Sequence, residues 1–178
     1  EILIKSASDL IDLDHPNYQF VAARLLLFSI RKSLYGRSRE LPKLEDHIVK
    51  CVTQDVYDGD IYSKYSKEDI EKANGYIDHN RDFLFTYAGL RQVADKYLVQ
   101  DRSTGQVYET PQFMYMMIAL TIFAEYPKET RLNYVRRYYD AISRHRINIP
   151  TPIMAGVRTP IRQFASCVLV DADDTLDS

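Results

Sequence analysis

Residues 110–125 read TPQFMYMMIALTIFAE, and this stretch decides the fold because it contains the longest apolar run of the chain, residues 114–124, which only Thr121 interrupts. The Thr-Pro pair predicts the start of a helix, since Pro is well suited to a first helical turn. We therefore expect a strongly apolar helix over this whole stretch. The run is shorter than the roughly 18 residues that span a bilayer, so we expect no membrane segment.

Apolar residues recur with helical spacing on both sides of this stretch. A capping box is indicated by SKED at residues 66–69, with Asp69 in the place of the more usual Glu or Gln. Gly36 is a plausible helix stop. The further helices that this pattern predicts cover approximately residues 2–11, 16–35, 44–56, 78–95 and 128–145.

Two segments depart from the helical pattern. Residues 97–109 place YLV and QVY on either side of a polar turn that ends in Gly, which predicts a β-hairpin. The apolar run FASCVLV, residues 164–170, is bounded by charge and predicts a buried strand. Three prolines and a glycine within residues 150–160 argue against a helix there. Since a buried strand needs partners on both sides, we expect the chain to continue in a longer protein or to pair with a second polypeptide.

Composition narrows the class of protein. The chain has 178 residues, enough for one domain or for one domain and the start of another, and 46% of them are hydrophobic, as in ordinary soluble proteins. A net charge of −2 gives no reason to expect a nucleic acid or an anionic membrane as a partner. The N-terminal residues do not form a signal peptide. Two distant cysteines do not form a secreted disulfide framework, so we expect a reducing cytoplasm.

Several common sites are not indicated by motif. The four histidines are scattered without metal-ligand spacing, and the sequence has neither a P-loop nor a dinucleotide-binding fingerprint, so we expect no metal on this chain. Fourteen tyrosines occur without any tryptophan. They are interpreted as the edge of a helical core, with a tyrosine-rich interface or an aromatic nucleotide shelf as the alternative. The acidic residues at the end of the chain suit a solvated turn, a cation site or a helix cap.

Cys167 allows two interpretations from the residues alone. A lone Cys in a buried strand is usually a small hydrophobic side chain. However, Ser166 precedes it, a loop rich in Pro and Gly leads to it, and Arg158 and Arg162 lie nearby in sequence. Arginines that approach a thiol in space favour its thiolate, and loops that lead into strands often bind ligands.

Residues 150–169, PTPIMAGVRTPIRQFASCVL, closely resemble a signature of the large (alpha) subunits of class Ia aerobic ribonucleotide reductases. The resemblance is nearly full length, and the long motif is very specific. It extends through the segments YQFVAAR at 18–24, IDHNRD at 77–82, KYLVQ at 96–100, TG at 104–105 and YPKETRL at 126–132.

The resemblance implies a mainly α fold, the helical N-terminal domain of such a subunit. This domain carries one β-hairpin and leads into the first strand of a ten-stranded α/β barrel. Residues 1–35 would be the end of an ATP-cone-like region, residues 36–160 the helical domain, and residues 161–178 the first barrel strand and the start of the specificity-site segment.

The resemblance also implies an activity. Members of the family are oxidoreductases that reduce ribonucleoside diphosphates to deoxyribonucleotides for DNA replication, by thiyl-radical chemistry with a redox-active cysteine pair. Cys167 matches the first cysteine of that pair, which must be re-reduced by exchange with another dithiol. Cys51 has no counterpart in the motif and is interpreted as a core thiol. Thr151 and Ser166 match positions that contact the substrate.

Nucleotide effectors are implied at two further places. Asp174, Thr175 and Leu176 match the stretch that binds a dNTP at the specificity site. Asp173 stands where relatives often have Gly, which adds negative charge beside a triphosphate, and Thr175 keeps the hydroxyl of the more usual Ser. Lys32 matches a lysine that contacts ATP.

The implied partners lie outside this chain. No cofactor is expected on it, because a small subunit that contains a metal supplies the radical. The other expected partners are the remaining part of the large subunit, a second large subunit in a homodimer, and thioredoxin or glutaredoxin as reductant. The family's other catalytic residues lie beyond residue 178, so we expect the chain alone to be inactive, whether it is a fragment, the ordered part of a longer chain or a split subunit. The alternative function is a non-catalytic helical docking or allosteric nucleotide-binding module of a split subunit.

Overall fold

The computed structural model describes residues 1–36, 40–167 and 169. The regular structure of these residues is helical, as expected for the first two thirds of the chain. A six-residue 3-10 helix, His79–Leu84, lies between the fifth and sixth α-helices. The α-helices are α1 (Ile2–Asp9), α2 (Tyr18–Tyr35), α3 (Leu44–Thr53), α4 (Ile61–Lys64), α5 (Lys67–Asn74), α6 (Tyr87–Lys96), α7 (Pro111–Ile122), α8 (Lys128–Ser143) and α9 (Thr151–Gly156).

Helix α7 is the centre of the core. Every residue of 111–120 is buried, which confirms the predicted apolar helix, although it ends at Ile122. A helix that is apolar on all sides must be covered on all sides. Helix α8, the 3-10 helix and α9 all pack against α7, while α2 packs on α6 and α3 on α5.

Local signals in the sequence set several helix ends. The Ser66 hydroxyl oxygen accepts a hydrogen bond from the backbone N–H of Asp69, and the Asp69 carboxylate accepts one from the backbone N–H of Ser66, so the predicted capping box is confirmed. Gly36 follows α2 with a φ of 68°, in the left-handed region that Gly adopts without strain. Both signals lie within a few residues of the end that they specify.

The prediction that no helix forms in the proline-rich segment is wrong. Helix α9 begins at Thr151 and carries Pro152 in its first turn. The N–H groups of a first turn have no partner within the helix, and the φ of Pro is already helical, so Pro152 suits this position. The prolines thus limit α9 to six residues without preventing it.

The predicted β elements are also corrected, since the described residues contain no β-strand. At the expected hairpin the chain does reverse, but Gln100 and Val107 form only an isolated antiparallel bridge. Residues 164–167 and 169 are exposed and irregular, so the predicted buried strand is wrong for them. A buried strand needs a sheet to pair with, and the described part of the chain provides helices. Residues 168 and 170–178, the rest of that prediction, lie outside the described residues, and the division into residues 1–35, 36–160 and 161–178 stays a prediction.

A buried polar network holds the 3-10 helix against α7. The carboxylate of Asp82, 1% exposed, accepts hydrogen bonds from Arg31 at 2.8 Å and from the Gln112 amide at 3.0 Å. The Tyr139 hydroxyl donates to the Gln112 carbonyl oxygen at 2.6 Å and accepts from the Asp78 backbone N–H at 2.9 Å. These four hydrogen bonds connect α2, the 3-10 helix, α7 and α8 to one another, so the network favours one arrangement of these elements. None of the helices in the described ranges is long and apolar enough to cross a membrane.

Two histidines enclose the Phe113 ring in the core. His47 stacks on Phe113 with ring centres 4.2 Å apart, and His79 meets it edge-on at 4.9 Å. Burial, with a contribution from the Lys50 charge, lowers the pKa of His47 to about 3. Burial, with a contribution from the Arg31 charge, lowers the pKa of His79 to about 4. Both imidazoles are therefore neutral at pH 7.

These lowered pKa values predict a loss of stability in mild acid. The unfolded chain binds protons at both histidines below about pH 6.5, whereas the folded chain binds them only near pH 3 to 4. The contribution of these two neutral histidines to the free energy of unfolding is thus complete above pH 6.5, and it is lost as the pH falls from there toward 4. Between pH 7.5 and pH 5, the free energy of unfolding should decrease by about 2 kcal/mol for each histidine, measured by urea denaturation.

The control for this prediction is the same measurement on variants. The His47→Gln/His79→Gln chain should lose much less stability between the two pH values, because neither Gln titrates. His15→Gln removes an exposed imidazole and should keep the wild-type dependence. An equal pH dependence in the double variant and the wild type would show that these two histidines do not cause the effect.

Candidate functional site

A cavity of about 960 Å³ lies between α6, the end of α8 and α9. Its lining includes the buried side chains of Tyr115 and Ile142 and the more exposed polar side chains of Gln92, Tyr97 and Thr151. The lining thus combines apolar and polar side chains, which also include His145, Arg146 and Asn148, and the volume is within the usual range of small-molecule sites.

Thr151 is the first residue of α9 and lies on the wall of the cavity. Its hydroxyl oxygen is 3.5 Å from the hydroxyl oxygen of Tyr97. The side-chain amide nitrogen of Gln92 lies 3.4 Å from the same Tyr97 oxygen. The predicted substrate residue Thr151 therefore belongs to a short row of polar groups on the cavity wall.

Arg158 anchors α9 and the turn that follows it. The residue is 1% exposed, and its Nε lies 2.9 Å from one carboxylate oxygen of Glu109 while its Nη2 contacts the other. Nη1 donates to the backbone carbonyl of Met154 at 2.6 Å, and Nη2 also donates to that of Tyr97 at 2.8 Å. A single guanidinium thus joins the proline-rich segment to the end of α6 and to the residue before Thr110-Pro111.

The Glu109 carboxylate also receives hydrogen bonds from two other segments. The backbone N–H of Val99 donates to it at 2.7 Å, and the Tyr57 hydroxyl donates to its second oxygen. Burial and the Glu109 charge raise the pKa of Tyr57 well above its usual value, so this hydroxyl keeps its proton. The neutral His47 places its Nε2 at 3.0 Å from the Tyr57 oxygen and is the donor there, since the Tyr57 proton is directed to Glu109.

Comparison with known proteins bears directly on this arrangement. A family model described as "Ribonucleotide reductase, all-alpha domain" matches residues 83–162, which include Tyr97, Glu109, Thr151 and Arg158. Over all 178 residues the chain is 52% identical to the ribonucleoside-diphosphate reductase subunit alpha of Haemophilus influenzae and 51% identical to the ribonucleoside-diphosphate reductase 1 subunit alpha of Escherichia coli K12. It is 49% identical over 177 residues to the ribonucleoside-diphosphate reductase subunit alpha of Enterobacteria phage T4.

The chain belongs to the ribonucleotide reductase large-subunit family. The recognised resemblance is therefore confirmed, and the helical structure fits the all-alpha description of the matching domain. The chain spans 23% of the length of each of these relatives.

The segment that resembles the reductase signature contains a thiol, Cys167, that is exposed in the described part of the chain. Ser166 and Cys167 are both exposed, with the Ser166 oxygen 3.8 Å from the Cys167 sulfur. Cys167 and Cys51 are both free thiols, so no disulfide joins them. The interpretation of Cys167 as a small hydrophobic side chain in a buried strand does not fit its exposed position in this structure.

Cys51 differs from Cys167 in its contact with solvent. It is fully buried, which confirms its interpretation as a core thiol. Burial, with a contribution from the Glu109 charge, raises its pKa to about 12. Since the thiolate is the reactive form, Cys51 is inert at neutral pH.

The two arginines before Cys167 direct their charge elsewhere. Arg158 is paired with the buried Glu109, and Arg162 binds Asp58 and lies 3.6 Å from Asp60. Their charges are thus compensated by carboxylates, and the structure gives no support to the idea that they favour a thiolate at Cys167.

The nucleotide-effector residues are placed only in part. Lys32 is exposed in the last turn of α2. Asp174, Thr175 and Leu176 lie outside the described residues.

Sequence reasoning missed Tyr97 and Glu109 as parts of this site. Tyr97 was assigned only to the hairpin, and Glu109 was not singled out. The one local signal for Glu109 was its position beside a strongly apolar helix, because an acidic residue that is buried there needs a compensating partner. The identity of that partner, 49 positions away, could not be read from local pattern.

Loss of the Glu109 charge should destabilise the fold strongly. Glu109→Gln leaves the Arg158 guanidinium buried without a counter-charge, so we expect the free energy of unfolding to decrease by about 3–5 kcal/mol in urea denaturation. The double variant Glu109→Gln/Arg158→Met removes both charges and should lose less than the sum of the two single variants.

The matched control is a more exposed ion pair. Arg162 and Asp58 are partly solvated, and Asp58→Asn should decrease the free energy of unfolding by less than about 1 kcal/mol. Losses of similar size in Asp58→Asn and Glu109→Gln would contradict the anchoring role of the buried pair.

Proposed function

We propose that this chain is part of the catalytic subunit of a ribonucleoside-diphosphate reductase and that Cys167 supplies one of the two thiols that reduce the substrate. One observation carries the proposal: the chain is about 50% identical to such subunits over its full length, and Cys167, a free thiol, lies within the segment that resembles their signature. The other cysteine of this chain, Cys51, is buried among core residues and cannot take this role.

The proposed chemistry balances with two thiols. Cys167 and a second cysteine, from the part of the subunit beyond this chain, give up two electrons and two protons and close into a disulfide. The ribose of a ribonucleoside diphosphate accepts them and loses its 2′-hydroxyl as water. A small subunit that contains a metal supplies the radical that starts this reaction. The disulfide must then be reduced again by thiol–disulfide exchange with another dithiol before the next turnover.

Thr151 and Ser166 are proposed as substrate contacts. Both side chains are exposed, and Thr151 lies on the wall of the 960 Å³ cavity. A hydroxyl group can donate a hydrogen bond to a phosphate oxygen and accept one from a neighbouring side chain at the same time. The diphosphate of the substrate is the part for which such donors are suited.

The remaining roles follow from membership of the family. We propose that Asp174, Thr175 and Leu176 bind an effector dNTP and that Lys32 contacts ATP. The proposed partners are the rest of the large subunit, a second large subunit, the radical-generating small subunit, and thioredoxin or glutaredoxin as the reductant in the cytoplasm. Because the other catalytic residues of the family lie outside these 178 residues, the chain alone should not turn over.

Substitution of Cys167 should abolish steady-state turnover. In the complete large subunit combined with its small subunit, Cys167→Ser removes the sulfur that must enter the disulfide, so deoxynucleotide formation with a dithiol reductant should fall at least about a thousand-fold. Product analysis by chromatography measures this.

The other cysteine of this chain, Cys51, provides the control. Cys51→Ala removes a buried thiol outside the proposed site and should leave kcat within about two-fold of wild type. Sustained turnover by Cys167→Ser would refute the catalytic assignment.

A further inference from the structure

We propose that Tyr97 is a positioning residue that orients the Thr151 hydroxyl toward the diphosphate of the substrate. The inference rests on the proposed function, in which Thr151 contacts a ribonucleoside diphosphate. It adds Tyr97, whose hydroxyl lies beside that of Thr151 on the cavity wall, to the residues of the proposed substrate site. The observation that carries it is the row of three polar groups, Gln92, Tyr97 and Thr151, whose polar atoms lie 3.4 and 3.5 Å apart along the wall of the cavity.

The backbone of Tyr97 is fixed on both sides. Its N–H donates to the carbonyl of Val93 at 2.9 Å, and its own carbonyl accepts from the guanidinium of Arg158 at 2.8 Å. The next residue, Leu98, is 2% exposed and holds the chain in the core. The Tyr97 ring therefore projects from a rigid point, and its hydroxyl has a defined position beside α9.

The same guanidinium also holds α9. Arg158 donates to the carbonyl of Met154, one turn after Thr151. Tyr97 and Thr151 are thus connected to one buried cation through the backbone and to each other through their hydroxyls. This double connection holds the two hydroxyl groups beside each other, as a positioning contact requires.

The direction of the hydrogen bonds determines what Thr151 can offer to a ligand. The amide nitrogen of Gln92 can only donate, so the Tyr97 oxygen is its acceptor. Tyr97 is then free to donate its own proton to the Thr151 oxygen. This leaves the Thr151 proton available for an anionic oxygen of the diphosphate.

The two distances, 3.4 and 3.5 Å, are long for hydrogen bonds between neutral groups. Hydrogen bonds in binding sites are often long before the ligand is bound and shorten in the complex. An anion that accepts the Thr151 proton increases the negative charge on the Thr151 oxygen and so strengthens the bond from Tyr97. The contribution of Tyr97 should consequently be to substrate affinity and not to the chemical step.

The test is a double-mutant cycle in the complete large subunit with its small subunit, measuring kcat and KM for a ribonucleoside diphosphate. Thr151→Val should raise KM about ten-fold, and Tyr97→Phe should raise it about five-fold with kcat nearly unchanged, the size expected for one lost neutral hydrogen bond. In the Thr151→Val background, Tyr97→Phe should have no further effect on KM. In the Thr151→Ser background, which keeps the hydroxyl, it should again raise KM about five-fold.

The controls separate the possible failures. Tyr134→Phe removes a hydroxyl from an exposed tyrosine of α8 and should leave KM unchanged. If Thr151→Val raises KM and Tyr97→Phe does not, the positioning role of Tyr97 is refuted while the proposed function stands. If Thr151→Val leaves KM unchanged, both the substrate role of Thr151 and the inference built on it are wrong. A Tyr97→Phe protein with reduced kcat and a lower unfolding temperature has a structural role only, and the inference fails.

Discussion

The structure depends on the compensation of one buried positive charge. Arg158 has almost no contact with solvent, and burying a guanidinium is strongly unfavourable unless a counter-charge and hydrogen-bond acceptors surround it. Glu109 supplies the charge and accepts two hydrogen bonds, and the carbonyls of Met154 and Tyr97 accept one more each. Segments that are distant in sequence therefore meet around the Arg158 guanidinium. Because Arg158 lies in the proline-rich segment, these contacts fix that segment against the end of α6 and against Glu109. Cys167 follows this segment in sequence, nine residues after Arg158.

Sequence reasoning was accurate where the signal is local. The apolar stretch that becomes α7, the capping box at Ser66 and the stop at Gly36 each depend on residues a few positions apart, and each is confirmed. It failed where the outcome depends on a partner elsewhere. Strands need neighbouring strands, and the described part of the chain offers helices. The error at α9 has another cause, because Pro152 lies in a first turn, where proline is compatible with a helix.

The candidate site shows the same division. Thr151 and Cys167 were found through a resemblance that extends over a long motif, which carries information that no single residue does. Tyr97 and Glu109 were missed because their roles come from contacts with residues 54 and 49 positions away. Such pairs are set by tertiary packing, and a lone sequence without aligned homologues gives no direct evidence of them. A buried acidic residue next to an apolar helix remains the one local indication that a partner must exist.

The seclusion of Cys51 has a consequence for the oxidation chemistry of the whole subunit. Thiol–disulfide exchange requires a thiolate that can line up with an accessible sulfur, and Cys51, with a pKa of about 12 and no exposed surface, meets neither condition. Mixed disulfides with small oxidants or with a reducing protein should not form there. In the proposed reaction, in which Cys167 enters a disulfide, the burial of Cys51 would prevent a mispaired cross-link between the two cysteines of this chain.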